Sequence, residues 1–218
     1  MTAVRCIVFD FDGVLVDSNR IKRDAYRQVL QHRGASSELL EACLASHPEA
    51  DRTEIITALL HQLSQSGAAP DDAAVARYVA DYGAVCLAEV SVCPEVTGAS
   101  ATLEALGADY PLYINSATPE EPLKQIVAVR GWSRRFRGVM GRPYSKSENF
   151  TRILTAEQIP AEAMLFVGDR QPDRAAAQAC GCVFVGVRSD ESDFSEPGPL
   201  LIDTLEGLPS LVRGLGKD

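Results

Sequence analysis

The stretch that most constrains the fold lies at the start of the chain. From Val4 to Phe9 the residues read as a buried strand, because Cys6-Ile7-Val8-Phe9 is apolar, β-branched and aromatic, with no turn residue inside it. The strand runs into Asp10-Phe11-Asp12-Gly13. In an extended backbone residues two apart share a side, so Asp10 and Asp12 lie opposite Phe9 and Phe11. Gly13 permits a sharp turn or a positive φ. Two carboxylates at the end of a buried strand repel each other and lose solvation, which calls for a cation or a shared proton. The alternative is a strand end whose two acids are solvated before a turn.

From Asn19 to Cys93 the pattern is helical. Arg20 to His32 carries Ile21, Ala25, Val29 and Leu30 at helical spacing, and Gly34 closes that helix. Ser36-Ser37 can cap a second helix through His47, ended before Pro48. A third runs from Asp51 to Ser66 with Ile55, Ile56, Leu59, Leu60 and Leu63 on one face, and Gly67 ends it. Pro70-Asp71-Asp72 opens a fourth, through Tyr78, Tyr82 and Leu87. Four helices in a row fit poorly into a βαβ alternation, whose crossovers are short. They read as a helical domain of residues 18–93 inserted into a core of residues 1–17 and 94–218. The competing reading has them covering one face of the sheet.

From Pro94 the pattern alternates. Expected are a helix over Pro94–Leu106, a strand over Tyr110–Asn115, a helix over Pro119–Val129 and a strand over Gly138–Met140. A helix over Lys146–Glu157, a strand over Ala163–Val167, a helix over Pro172–Ala179 and a strand over Val183–Val187 follow. This is the order of an α/β fold, a doubly wound parallel sheet. Such sheets bind ligands at the carboxyl ends of their strands, so functional residues belong just after each strand.

Those positions carry chemistry. Ser116, in Asn115-Ser116-Ala117-Thr118-Pro119, places a hydroxyl at a strand end where it and free backbone N–H groups, such as that of Ala117, can meet an anion. Ser116 or Thr118 could instead cap the next helix, and Thr118, directly before Pro119, is the better placed. In Phe166-Val167-Gly168-Asp169-Arg170-Gln171-Pro172-Asp173 a buried strand runs into Gly-Asp, with a second acid four residues on. Asp169 would face the same pocket as Asp10. Hard oxygen ligands of this kind favour Mg²⁺. Asp173 alone could simply be a favourable acid in a first helical turn.

A net charge of −9 argues against a nucleic-acid partner but not against an anionic substrate, since a metal ion or a lysine inverts the field locally. No stretch is apolar and long enough to span a bilayer, and the first strand begins too early to leave room for a signal peptide, so a cytoplasmic location is expected. Cys6, Cys43, Cys86, Cys93, Cys180 and Cys182 read as free, mostly buried thiols. His32, His47 and His61 are too scattered for a metal site. Arg130, Arg134, Arg135 and Arg137 read as a solvated connection with Trp132 packed under it. Arg20, Lys22 and Arg23, just past the first motif, could include a substrate contact.

Asp10-Phe11-Asp12-Gly13-Val14-Leu15-Val16-Asp17-Ser18 closely resembles the first motif of the haloacid dehalogenase-like hydrolase superfamily, in its phosphatase form. Ser116 matches the second motif and Asp169 with Asp173 the fourth. The third, a lysine after a Gly-Lys-Pro-like loop, has Arg142 at the tripeptide's lysine and Lys146 four residues later, at the helix start. A compact ammonium suits a crowded anionic site better than a guanidinium, which favours Lys146. The resemblance covers nearly the whole chain and points to the branch of phosphoglycolate phosphatases and β-phosphoglucomutases. It implies a Rossmann-like core with a helical cap that selects the substrate. It implies Asp10 as nucleophile, Asp12 as general acid/base, Ser116, Ala117 and Lys146 at the phosphate, and Asp173 orienting ligands or waters. Mg²⁺ would be held by Asp10, Asp169 and the backbone carbonyl of Asp12. The implied activity is Mg²⁺-dependent hydrolysis of a small phosphorylated metabolite through an aspartyl-phosphate, by a monomer or homodimer. Alternatives are a phosphosugar mutase, which also keeps the acid at Asp12, and a non-catalytic binding protein.

Overall fold

The computed structural model describes residues 3–47, 50–64, 69–189, 192, 194 and 200–215. The strands are β1 (Cys6–Phe9), β2 (Leu112–Pro119), β3 (Gly138–Arg142), β4 (Met164–Gly168), β5 (Val183–Val187) and β6 (Leu201–Ile202). They form one parallel sheet in the order β3-β2-β1-β4-β5-β6. The fold is a doubly wound α/β sheet with a Rossmann-like arrangement. Every residue of β1 is buried, as its unbroken apolar run demands of a strand with neighbours on both edges.

The helices are α1 (Asn19–Leu30), α2 (Ser37–Ser46), α3 (Arg52–Gln62), α4 (Asp72–Val90), α5 (Ala99–Gly107), α6 (Glu120–Val129), α7 (Lys146–Glu157), α8 (Gln171–Cys180) and α9 (Leu208–Leu215). The chain divides into two compact units, Met1–Asn19 with Ser91–Asp218, and Arg20–Val90.

The first unit contains the sheet. Its core on one side gathers Cys6, Val8, Phe150, Ile153, Met164, Phe166 and Ala177, with Phe150 meeting Phe166 edge-on at 4.9 Å. The second unit is helical. Ser36 caps α2, its hydroxyl accepting from Leu39 N, and Asp51 caps α3 in a reciprocal pair with Glu54. Ile55, Ile56, Leu59 and Leu60 are buried on α3, and Tyr78 and Tyr82 on α4. Tyr82 stacks on Tyr26 at 4.3 Å.

Several boundaries differ from expectation. α3 ends at Gln62, and the expected end at Ser66-Gly67 lies outside the described residues, as does Pro48. α5 begins at Ala99 rather than Pro94, because Glu95 pairs with Val16 in an antiparallel bridge and Gly98 takes a φ of 84° at the N-cap. β6 and α9 follow the last expected strand, and α9 buries Leu208 and Val212.

The cysteines are all free, with Cys180 and Cys182 half-buried and the others buried. Trp132 is buried with the Arg130 guanidinium over its ring at 5.4 Å. Three of the four neighbouring arginines are tied down locally rather than simply solvated. Arg130 donates to Cys93 O, Arg135 to Ser100 O and Arg137 to the Glu157 carboxylate.

Candidate active site

The strand order brings the site together. β1 lies between β2 and β4, and Phe9 is in register with Ile114 on one side and Val167 on the other. One or two residues further along these three strands come Asp10, Asn115-Ser116 and Gly168-Asp169. This is the point where the strand order reverses, the usual place for a ligand in an open α/β sheet. The Asp10 N–H donates to Val167 O at 2.8 Å, which fixes the acid at the seam between β1 and β4.

Asp10, Asp169 and Asp173 are all buried, with one carboxylate oxygen of each within 4.8 Å of the others. Lys146, the first residue of α7, places its ammonium 3.1 Å from Asp10 Oδ2 and also donates to Asp173 Oδ1. Ser145 caps α7 in a reciprocal pair with Glu148 and so sets where this lysine leaves the helix. Arg142 is exposed at the end of β3. Asp173 Oδ2 accepts from Arg170 N at 3.3 Å, so both oxygens of this acid are engaged. A Cβ at Gly168 would lie 2.5 Å from Asp173 Cβ, which explains a glycine there.

The charge of this cluster is poorly compensated. Burial pushes the Asp10 carboxyl up to about 7, opposed by Lys146 and reinforced by Asp173 and Asp12. Burial likewise pushes Asp169 up to about 8, with the charges of Asp10 and Asp173 adding to it. For Lys146 burial works downward, but Asp10 and Asp173 outweigh it and raise the ammonium above the ordinary lysine range. Asp10 Oδ1 and Asp169 Oδ1 are buried without a hydrogen-bond partner. Orphaned carboxylate oxygens are costly, and hard oxygens that converge in this way fit Mg²⁺ or a similar hard cation.

Asp12 has different surroundings. It is half-buried, and Ser18 Oγ donates to its Oδ1 at 2.6 Å. Thr118 Oγ1 donates to its Oδ2 at 3.0 Å, and Ser116 Oγ approaches the same oxygen at 3.4 Å. Gly13 adopts a φ of 75°, and a Cβ there would fall 2.1 Å from Asp169 Oδ2. The turn after Asp12 therefore packs directly against the acid that follows β4.

The expected cap role of Thr118 is not what the structure shows. β2 continues through Thr118 to Pro119, and α6 starts at Glu120 with Pro119 as an N-cap that makes no side-chain bond. Extension of the strand carries the hydroxyl to Asp12 instead. Ser116 is buried and Ala117 exposed beside it. The β2–β3 register shifts here, since Asn115 pairs with Met140 but Pro119 with Arg142. Such irregularities commonly re-aim side chains near active sites.

The motifs did not point to several other polar residues. Asn19 donates to Asp169 Oδ2 at 3.0 Å. Asn115, fully buried, donates to Lys146 O at 2.9 Å and accepts from Asn149 at 3.1 Å, tying β2 to the start of α7. An asparagine inside an otherwise apolar strand was a readable signal for this contact. Arg20 and Arg23 pair with Asp24 at 3.8 Å and Glu41 at 3.2 Å within the helical unit.

Comparison with known proteins agrees with this arrangement. The model of a hydrolase family, haloacid dehalogenase-like hydrolase, matches residues 4–181. The phosphoglycolate phosphatase of Yersinia pseudotuberculosis is 28% identical over 194 residues, covering 85% of this chain and 81% of that protein. The tyrosine-protein kinase PtkA of Mycobacterium bovis is 28% identical over 198 residues, covering 86% of this chain and 64% of the kinase. The crystal structure of a predicted phosphoglycolate phosphatase from Haemophilus somnus shares the fold, with a TM-score of 0.79, 21% identity and coverage of 97% of this chain and 99% of that one. Among the described residues no helix is long and apolar enough to cross a membrane.

Proposed function

Because the chain belongs to the haloacid dehalogenase-like hydrolase family, we propose that it is a Mg²⁺-dependent phosphatase of a small phosphomonoester. The observation that carries this reading is the pair of orphaned oxygens on Asp10 and Asp169, buried beside Lys146. Asp10, Asp169 and the backbone carbonyl of Asp12 would hold the ion. When bound, it would favour the ionised carboxylates and offset charge on phosphoryl oxygens.

The chain's own residues divide the remaining work. A carboxylate oxygen of Asp10 forms the bond to phosphorus as the bond to the leaving oxygen breaks, giving an aspartyl-phosphate. Asp12 gives its proton to that leaving oxygen. The Lys146 ammonium, the Ser116 hydroxyl and the Ala117 N–H hold the equatorial phosphoryl oxygens, where positioning and charge supply most of the rate. Asp12, now ionised, takes a proton from the water that cleaves the aspartyl-phosphate and regenerates Asp10. Asp173 keeps Lys146 in place.

The helical unit, Arg20–Val90, serves as the cap that selects the substrate, with Arg20, Lys22 and Arg23 as its candidate contacts. Similarity to a phosphoglycolate phosphatase supports a small anionic metabolite such as phosphoglycolate or a sugar phosphate as substrate. Similarity to a protein kinase leaves the phosphoryl acceptor to be decided by the site, where Asp12 can activate water. The test is phosphate release from a panel of phosphorylated metabolites with and without Mg²⁺. Release that requires Mg²⁺ is expected. Interconversion of sugar phosphates without release would replace hydrolysis by a mutase reaction, and inertness toward the whole panel would overturn the reading.

A further inference from the structure

We propose that Thr118 is the positioning residue that aims Asp12 at the leaving-group oxygen, so that the longer Ser116 bond to Asp12 can give way to the phosphate. This rests on the acid/base role given to Asp12 above.

The geometry assigns distinct tasks to two neighbouring hydroxyls. Thr118 Oγ1 donates to Asp12 Oδ2 at 3.0 Å; Ser116 Oγ donates to the same oxygen over a longer 3.4 Å and also accepts from Thr118 N at 3.1 Å. Thr118 therefore supplies the shorter of the two hydroxyl bonds to this oxygen. Its side chain is buried and β-branched, so its rotamer is restricted. Its backbone is held from the β3 side, where a Cβ on Gly141 would come within 2.2 Å of Thr118 O. Ser18 holds the other carboxylate oxygen of Asp12 at 2.6 Å. With hydroxyl donors on both oxygens, the plane of the Asp12 carboxyl is defined. Removing Thr118 takes away the shorter of the two hydroxyl bonds to Oδ2 and leaves the longer one from Ser116.

The chemical consequence is selective. In the first step the Asp12 O–H bond breaks and a bond from that proton to the leaving oxygen forms, as phosphorus passes from the leaving oxygen to Asp10. An alkoxide needs that proton, and a nitrophenolate needs it far less. The parameter kcat/KM reports steps only through the first irreversible one, so it isolates this transfer from hydrolysis of the aspartyl-phosphate.

The experiment compares kcat/KM for the best alkyl phosphate of the metabolite panel with that for p-nitrophenyl phosphate, in the wild type, Thr118→Val and Thr118→Ser. The alkyl-to-aryl ratio is expected to fall about tenfold in Thr118→Val, the scale of one hydrogen bond to a charged group, and to return to within about threefold of wild type in Thr118→Ser. Should the valine variant fail to fold by circular dichroism, Thr118→Ala is the hydroxyl deletion to measure. An equal loss on both substrates would mean that Thr118 serves the phosphate or the fold, and the proposal falls. An unchanged ratio in a wild type that does release phosphate also overturns it and leaves the phosphatase reading standing. A wild type inert toward every substrate overturns both.

Discussion

The two aspartates of the first motif are two residues apart and live under opposite conditions. Asp10 belongs to a buried group of acids, with Asp169 and Asp173, in which two oxygens find no hydrogen-bond donor and burial drives the carboxyls upward. Asp12 is half-buried and takes hydroxyl donors on both oxygens. The difference follows from the strands around them. Asp10 continues β1, where the neighbours are the ends of β2 and β4. Asp12 lies past the strand, where the Gly13 turn and the hydroxyl-bearing end of β2 surround it. One side of the site is complete as protein. The other is a set of ligands that a cation would complete. A nucleophile held by charge and an acid/base held by neutral donors suit the two tasks that phosphate ester hydrolysis sets.

The contrast breaks first at Asp10. Asp10→Asn is expected to lower kcat by about ten-thousandfold or more, as loss of a nucleophile does, while circular dichroism stays native. Substantial turnover in that variant would remove Asp10 from the chemistry. Asp169→Asn comes next, with an expected loss of about a hundredfold or more in activity. Its sharper signature is in stability. The wild type should gain thermal stability with Mg²⁺, the variant should not, and without metal the variant should melt no lower than the wild type, because it no longer has to take up a proton on this buried carboxyl in order to fold. A variant that kept the full Mg²⁺-dependent gain would show that the acids do not form an ion site.

The same contrast marks what could be read from the residues alone. Asp10, Asp169 and Asp173 stand at strand ends and helix starts whose pattern is local, and so do Ser145 and Glu148, which cap α7 and fix its beginning at Lys146. The positive φ of Gly13 was likewise legible. Thr118 was not, because its partner lies 106 residues away and its local context, a hydroxyl before Pro119, resembles a helix cap. Asn19 bonds an acid 150 residues distant. Strand lengths show the same limit. β2 runs on to Pro119 because β3 pairs with it, and β6 is a two-residue strand that exists through its pairing with Gly186 and Val187. No helix was expected past Val187, and one as short as α9 depends on the helix α5 that it packs against.

Gly13→Ala tests the contact between the two halves of the site. Its φ of 75° and the 2.1 Å approach of a Cβ to Asp169 Oδ2 impose both backbone strain and a clash. The backbone term alone is about 1–2 kcal/mol, and for a chain of this size each kcal/mol lowers Tm by about 2–4 °C. A drop of roughly 3–8 °C in the metal-free protein is expected, with a smaller stabilisation by Mg²⁺, because the displaced acid is one of the proposed ligands. A Gly13→Ala protein with unchanged Tm and unchanged response to Mg²⁺ would separate the turn from the ion site.

The last test is the pH dependence of stability, whose sign reports the surroundings of Asp10 and Asp169. Asp10 is raised to about 7 and Asp169 to about 8, against ordinary aspartate values near 3.8. Between those limits the folded, metal-free protein holds protons that the unfolded chain has released. The stability these groups contribute is complete below about pH 4 and is lost as pH rises through about 7 to 8. Melting of the chelator-treated protein should therefore fall between pH 6 and pH 8. Mg²⁺ competes with those protons, so its stabilisation should grow over the same interval and offset the fall. In Asp169→Asn both trends should shrink. A metal-free wild type whose Tm rose across this window would mean that its buried carboxylates are already well partnered, and the contrast with Asp12 would disappear.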